Sequence, residues 1–122
     1  MTDLLTPIDE AGVVAIEGPP GLPVLDAAAD VDLLLEACFG ARCEAALLHA
    51  ENLPPDFFDL SSGTAGAMLQ KLRLYGVRLA VVRGPASSPA SSRFGELVAE
   101  ERMRRDFGVF ASREEARAWL AG

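Results

Sequence analysis

The densest group of side chains able to do chemistry lies in the run HAENLPPDFFDLSSGT, which holds His49, Glu51, Asp56, Asp59, Ser61, Ser62, Gly63 and Thr64. His49 is the sole histidine. With Asp59 and Ser61 it has the residue types of a base, an orienting acid and a nucleophile. The spacing does not require the three to meet and no nucleophile-elbow pattern is present, so no catalytic residue is assigned and a non-enzymatic role is expected. Glu51, Asp56 and Asp59 are hard oxygen donors, but they lack the dense ligand spacing of a calcium loop, and no metal is expected. The two cysteines, Cys38 and Cys43, have no second pair with which to complete a zinc site and are read as reduced thiols, Cys38 packed inside a helix.

Anion binding has a clearer physical basis. The segment SSGTAG, 61–66, opens a helix with small residues that leave backbone N–H groups uncovered, and the positive end of the helix dipole favours negative charge there. A phosphate, a carboxylate or a phosphorylated serine fits such a place, which makes Ser61 and Ser62 the candidate phosphorylation sites. Gly63 and Gly66 are not followed by Gly-Lys-Ser/Thr, so this is not a P-loop and no nucleotide cofactor is implied. The purely structural alternative is that Ser61 or Ser62 is the N-cap, Asp59 complements the dipole and the small residues allow close packing.

The elements that must position this stretch follow from periodicity. Residues 3–8 and 11–16 read as two short strands of a hairpin, with Asp9, Glu10 and Gly12 as turn residues. Gly18, Pro19, Pro20, Gly21 and Pro23 make the first loop. From Asp30, the residues Val31, Leu34, Leu35, Cys38 and Phe39 recur at helical spacing and predict a buried face, with Gly40 ending the helix. A continuous apolar run at 45–48 predicts a strand covered on both faces. After Pro54 and Pro55, the pair Phe57 and Phe58 is expected to plug a turn into the core. Ala65, Met68, Leu69 and Leu72 then mark the buried face of a second helix that Gly76 terminates. A strand at 77–82, a loop at 83–90, a helix after Ser91 or Ser92 and a strand at 107–110 follow. Ser112 with Glu115 forms a capping-box pattern ahead of a last helix that buries Ala116, Trp119 and Leu120. Alternating strands and helices predict right-handed crossovers and a mostly parallel sheet.

A chain of 122 residues, 50% apolar and 24% charged, suits one globular domain, and we read 1–122 as a single α/β domain. Asp30 and Glu36 interrupt the apolar 22–39 region, so no membrane span is expected. The start MTDLL has no basic region ahead of an apolar core, and a cytoplasmic location is expected. The net charge of −7 divides unevenly, near −11 over residues 1–60 and +4 over residues 61–122, as expected if two interleaved halves neutralise each other. Overall acidity argues against nucleic acid as a partner.

The run LLHAENLPPDFFDLSSGTAGAMLQKLRLYGVRLAVV resembles the signature region of the bacterial domain-of-unknown-function family 4180, and the likeness extends to the EEARAWL helix. The phenylalanine pair with Asp59, the Gly63-x-Ala65-Gly66 step and Leu69-Gln70-Lys71 carry it. The chain departs from that pattern at Thr64, where an apolar residue is usual, at Arg83, where glycine is usual, and around 102–104, where the family tends to an asparagine-glycine pattern. A second resemblance, in element order and in the serine pair ahead of a glycine, is to STAS domains, the fold of anti-sigma-factor antagonists. It implies a phosphorylatable Ser61 or Ser62 facing a partner kinase, although Leu60 breaks the usual Asp-Ser order. The expectation is therefore a STAS-like α/β domain with an N-terminal hairpin and a mixed, mostly parallel sheet. It would serve as a regulatory or binding module for a protein partner or a second copy of itself, which an exposed sheet edge or the apolar 4–8 segment would pair. The alternative is a small-molecule or anion-binding protein, with or without catalysis, whose pocket lies between the 49–62 and 83–92 loops.

Overall fold

A computed structural model describes residues 4–10, 12–83 and 106–121. Five strands form one sheet in the order of the chain: β1 (Thr6–Glu10), β2 (Val13–Glu17), β3 (Ala45–His49), β4 (Arg78–Val82) and β5 (Phe107–Phe110). β1 and β2 are an antiparallel hairpin, turned at Gly12, whose φ of +78° suits glycine. Every later neighbour pairs in parallel. The hairpin strands begin and end one to three residues later than the sequence predicts, so Asp9 and Glu10 are strand residues and not turn residues.

Helix α1 (Val31–Ala41) joins β2 to β3, and α2 (Thr64–Leu74) joins β3 to β4. Parallel strands laid down successively in one direction with right-handed crossovers put both connections on the same face. Both helices accordingly share one core with Ile16, Ala46, Leu48, Leu79, Val81 and Phe107. Alternate strand residues point the other way: Ala15, Ala45, Leu47, Ala80 and Phe110 pack with Ala116 and Leu120 of α3 (Arg113–Ala121). That two-sided burial explains why β3 and β4 read as unbroken apolar runs. Each large side chain it hides, Leu48 or Phe57 for example, contributes about 1.5–3 kcal/mol.

Two details of α1 differ from the sequence reading. Phe39 is 54% exposed, because it lies at the rim of the apolar stripe and meets the ring of Tyr75 edge-on at 5.5 Å. Gly40 lies inside the helix, and the left-handed residue that closes it is Arg42, at φ 55° and ψ 44°. The second helix ends as expected, with Gly76 at φ +71°. The helix predicted after Ser91 or Ser92 lies outside the described residues, as does most of the 83–90 loop. Among the described residues, no helix is long and apolar enough to cross a membrane.

Candidate functional site

In a parallel sheet the loops leaving the carboxyl ends of the strands converge, and here they are the segments after Glu17, His49, Val82 and Phe110. The first two are stitched together by Asn52, which is fully buried. Its Nδ2 donates to the carbonyls of Pro19 at 2.6 Å and Leu22 at 2.8 Å, and its Oδ1 accepts the His49 N–H at 2.7 Å. Gly18 is required beneath it, since a Cβ there would come within 2.8 Å of the Asn52 Cγ. Leu25 N–H donates to the Asn52 carbonyl, and the Gly21 N–H donates to Glu51 Oε1 at 3.1 Å.

Past Pro54 and Pro55 the chain drives Phe57 fully into the core, with Phe58 half-buried beside it, ring to ring at 5.2 Å. This anchor holds a turn that satisfies its own polar groups. Asp59 Oδ1 accepts both the Ser61 N–H at 3.1 Å and the Ser61 hydroxyl at 2.6 Å. The Ser62 hydroxyl lies 2.9 Å from the Asp56 carbonyl and 2.7 Å from that of Asp59, and it accepts the Thr64 N–H at 3.2 Å. The N-cap is neither serine. Gly63 takes that place at φ +80°, because a 3-10 turn over Leu60–Ser62 has to reverse into the helix and only a left-handed residue makes the join. Asp59, Ser61, Ser62 and Gly63 are exposed, and Thr64 is buried at the first turn of α2.

The residues singled out from the sequence therefore separate into two groups. Asp56, Asp59, Ser61, Ser62, Gly63 and Thr64 form one hydrogen-bonded turn. His49, half-buried at the end of β3, and Glu51 belong to the seam with the 18–27 loop. Among the described residues no hydrogen bond or ion pair joins His49 to Asp59 or Ser61, and no three His, Cys, Asp or Glu side chains cluster as a metal site.

Arg83, the first residue past β4, completes the edge. Its backbone N–H donates to the Phe110 carbonyl at 2.9 Å, and its guanidinium lies 4.4 Å over the Phe58 ring. Among the described residues its Nε is a buried donor with no hydrogen-bond partner. Leaving such a group unpaired costs about 1–3 kcal/mol, which the oxygen of an anion would recover.

On the opposite face lies a cluster that the sequence reading missed. Glu17, 8% exposed, receives Arg113 Nε at 2.9 Å and Arg117 Nε at 2.8 Å. Arg117, equally buried, also donates to the carbonyls of Val13 at 3.0 Å and Ile8 at 2.7 Å, and Arg113 reaches Glu10 as well. The Arg113 hydrogen bond holds the Glu10 carboxyl below its ordinary range, and its two carboxylate partners raise the pKa of Arg113. This network ties α3 to the hairpin. A signal existed: Arg113, Ala116, Arg117 and Leu120 share one helical stripe, so an arginine there has to meet a buried acid.

A family model described as Domain of unknown function (DUF4180) matches residues 13–120, which among the described residues takes in every strand but β1 and all three α-helices but for the last residue of α3. No curated protein and no solved structure matches the chain, so the likeness to STAS domains rests on element order and the serine pair ahead of Gly63.

Proposed function

From the premise that the chain belongs to the DUF4180 family, we propose that it is a non-enzymatic binding module whose recognition surface is the Asp59–Ser61–Ser62–Gly63 turn at the carboxyl edge. The observation that carries this reading is the build of the turn. It is exposed, it is internally hydrogen-bonded, and it is fixed to the core through Phe57, so a partner meets it without first having to order it. Its two hydroxyls make it a natural switch. A phosphate on Ser61 would bring close to two negative charges against Asp59, and one on Ser62 would replace a donor that serves two carbonyls. Either modification opens the turn. The test is affinity capture from native lysate with the wild-type chain and with Ser61→Asp and Ser62→Asp. The reading expects a stoichiometric protein partner that one form holds and the other releases. Recovery of no such partner by any form would contradict it.

A second reading, a small-anion site, is favoured by the unpartnered Nε of Arg83 beside the Phe58 ring and the loop that leads into α2. A modest rotation of the guanidinium would offer that donor to a phosphate or carboxylate. Thermal unfolding with inorganic phosphate and a set of small carboxylates tests it. A ligand at 100 times its dissociation constant adds about 2.7 kcal/mol, and Arg83→Met should abolish the gain. An equal gain in Arg83→Met, or none in the wild type, would rule this reading out.

A further inference from the structure

The far end of α1 places the only two thiols of the chain against each other, and we propose that Cys38 and Cys43 form a dithiol site that a small disulfide oxidises to an intrachain Cys38–Cys43 bond. The geometry comes from the way the helix stops. With Arg42 left-handed, the Cys43 N–H donates to the Cys38 carbonyl at 3.0 Å and the Arg42 N–H to the Phe39 carbonyl at 3.2 Å. That paired arrangement is a Schellman turn, which brings the side chains at its two outer positions into contact. The contact is ordinarily apolar, and here both positions are cysteine. Cys43 packs on the core cluster to which Cys38 belongs, and its thiol donates to the Ala45 carbonyl at 3.8 Å. The backbone bond between the same two residues also draws their Cα atoms toward the roughly 4.4–6.8 Å window of a disulfide.

Burial sets the order of events. Cys38 is completely enclosed, and that enclosure, with the neighbouring Cys43 thiol, pushes its pKa up to about 12. Cys43 is only half-buried, so it is the entering nucleophile. Its thiolate attacks one sulfur of a small disulfide, that S–S bond breaks, and the departing thiolate takes up a proton. Cys38 then attacks Cys43 Sγ and displaces the second small thiolate, which takes up the Cys38 proton as it leaves. Two protein thiols are oxidised and one small disulfide is reduced to two thiols. The bond would clamp the end of α1 to the turn that enters β3.

The experiment equilibrates the full chain with reduced and oxidised glutathione, traps free thiols by alkylation and reads the products by mass. The folded protein is expected to lose two hydrogens and retain no glutathione. Its equilibrium constant for the internal disulfide should be at least tenfold above that of the same chain in urea, because folding holds the thiols together. Cys38→Ser should stop at the mixed disulfide on Cys43, and Cys43→Ser should resist modification. A stable glutathione adduct on the wild-type chain, an equilibrium constant no higher folded than unfolded, or a Cys43→Ser variant that reacts as readily as the wild type would each overturn the assignment.

Discussion

Asn52 is a fully enclosed amide whose three hydrogen bonds run to backbone groups of the chain on both sides of a seam. Removing it leaves the His49 N–H and two carbonyls short of partners, so Asn52→Ala should cost about 2–4 kcal/mol in urea denaturation. Asn52→Asp should do no better, because it turns a carboxylate oxygen toward the Pro19 and Leu22 carbonyls. A loss under about 1 kcal/mol for Asn52→Ala would mean that water replaces the amide without penalty. Nothing in the sequence distinguished Asn52 from its polar neighbours, since the two carbonyls it serves lie 33 and 30 positions away in a proline-rich loop that carries no periodic signal. Ser61 and Ser62 were legible as residues at a helix entry, yet the residue that turns the chain into α2 is Gly63, and only the backbone angles reveal it. Glu10 acts at the same scale. Its pKa is depressed in the folded state, so the stability it provides is complete above its ordinary value of 4.5 and is lost as the pH falls through the lower folded value. Glu10→Gln should therefore flatten the acid side of the stability profile, bringing the two proteins together at the lowest pH. Parallel profiles for wild type and variant would remove Glu10 from the account.

Each described strand and α-helix grew from a pattern that the sequence displays, because apolar periodicity reports burial directly: the β3 and β4 runs, the Ala65-Met68-Leu69-Leu72 stripe and the hairpin are all present. Boundaries were less legible. Phe39 continues the α1 stripe in sequence, yet it lies at the rim of that stripe, mostly exposed against the ring of Tyr75. Helix α3 shows how an element is held by groups that periodicity does not weigh. Ser112 Oγ accepts the Glu115 N–H at 3.2 Å at its start, Arg78 donates to the Trp119 and Leu120 carbonyls at its end, and Glu17 receives two arginines midway. Glu17→Ala would leave Arg117 buried without its acid and should cost about 3–5 kcal/mol. Replacing Glu17 and Arg117 together by Met should recover a large part of that loss, because the unpaired charge disappears with its partner. If the double variant is as unstable as the sum of the single changes, the pair is not coupled and α3 is held by its apolar face alone.

At the scale of the whole molecule, the charge imbalance between the two halves of the sequence is resolved by folding. Arg113 and Arg117 close on Glu10 and Glu17, and Lys71 closes on Asp32, each pair joining the basic half to the acidic one. The sheet and its two covered faces could be read from the order of elements, whereas the way the candidate residues divide between a turn and a seam could not, because the meeting of loops at one edge is a property of three-dimensional register. The central claim concerns that edge: the turn between Phe57 and α2 is a preformed surface for a protein partner. Its most direct measurement compares stoichiometric capture from native lysate by the wild-type chain and by a Ser61→Asp, Ser62→Asp variant whose unfolding shows it to be equally folded. The account predicts a partner recovered at unit stoichiometry by one of the two forms and absent from the other. The same stoichiometric partner on both forms, or on neither, would contradict it.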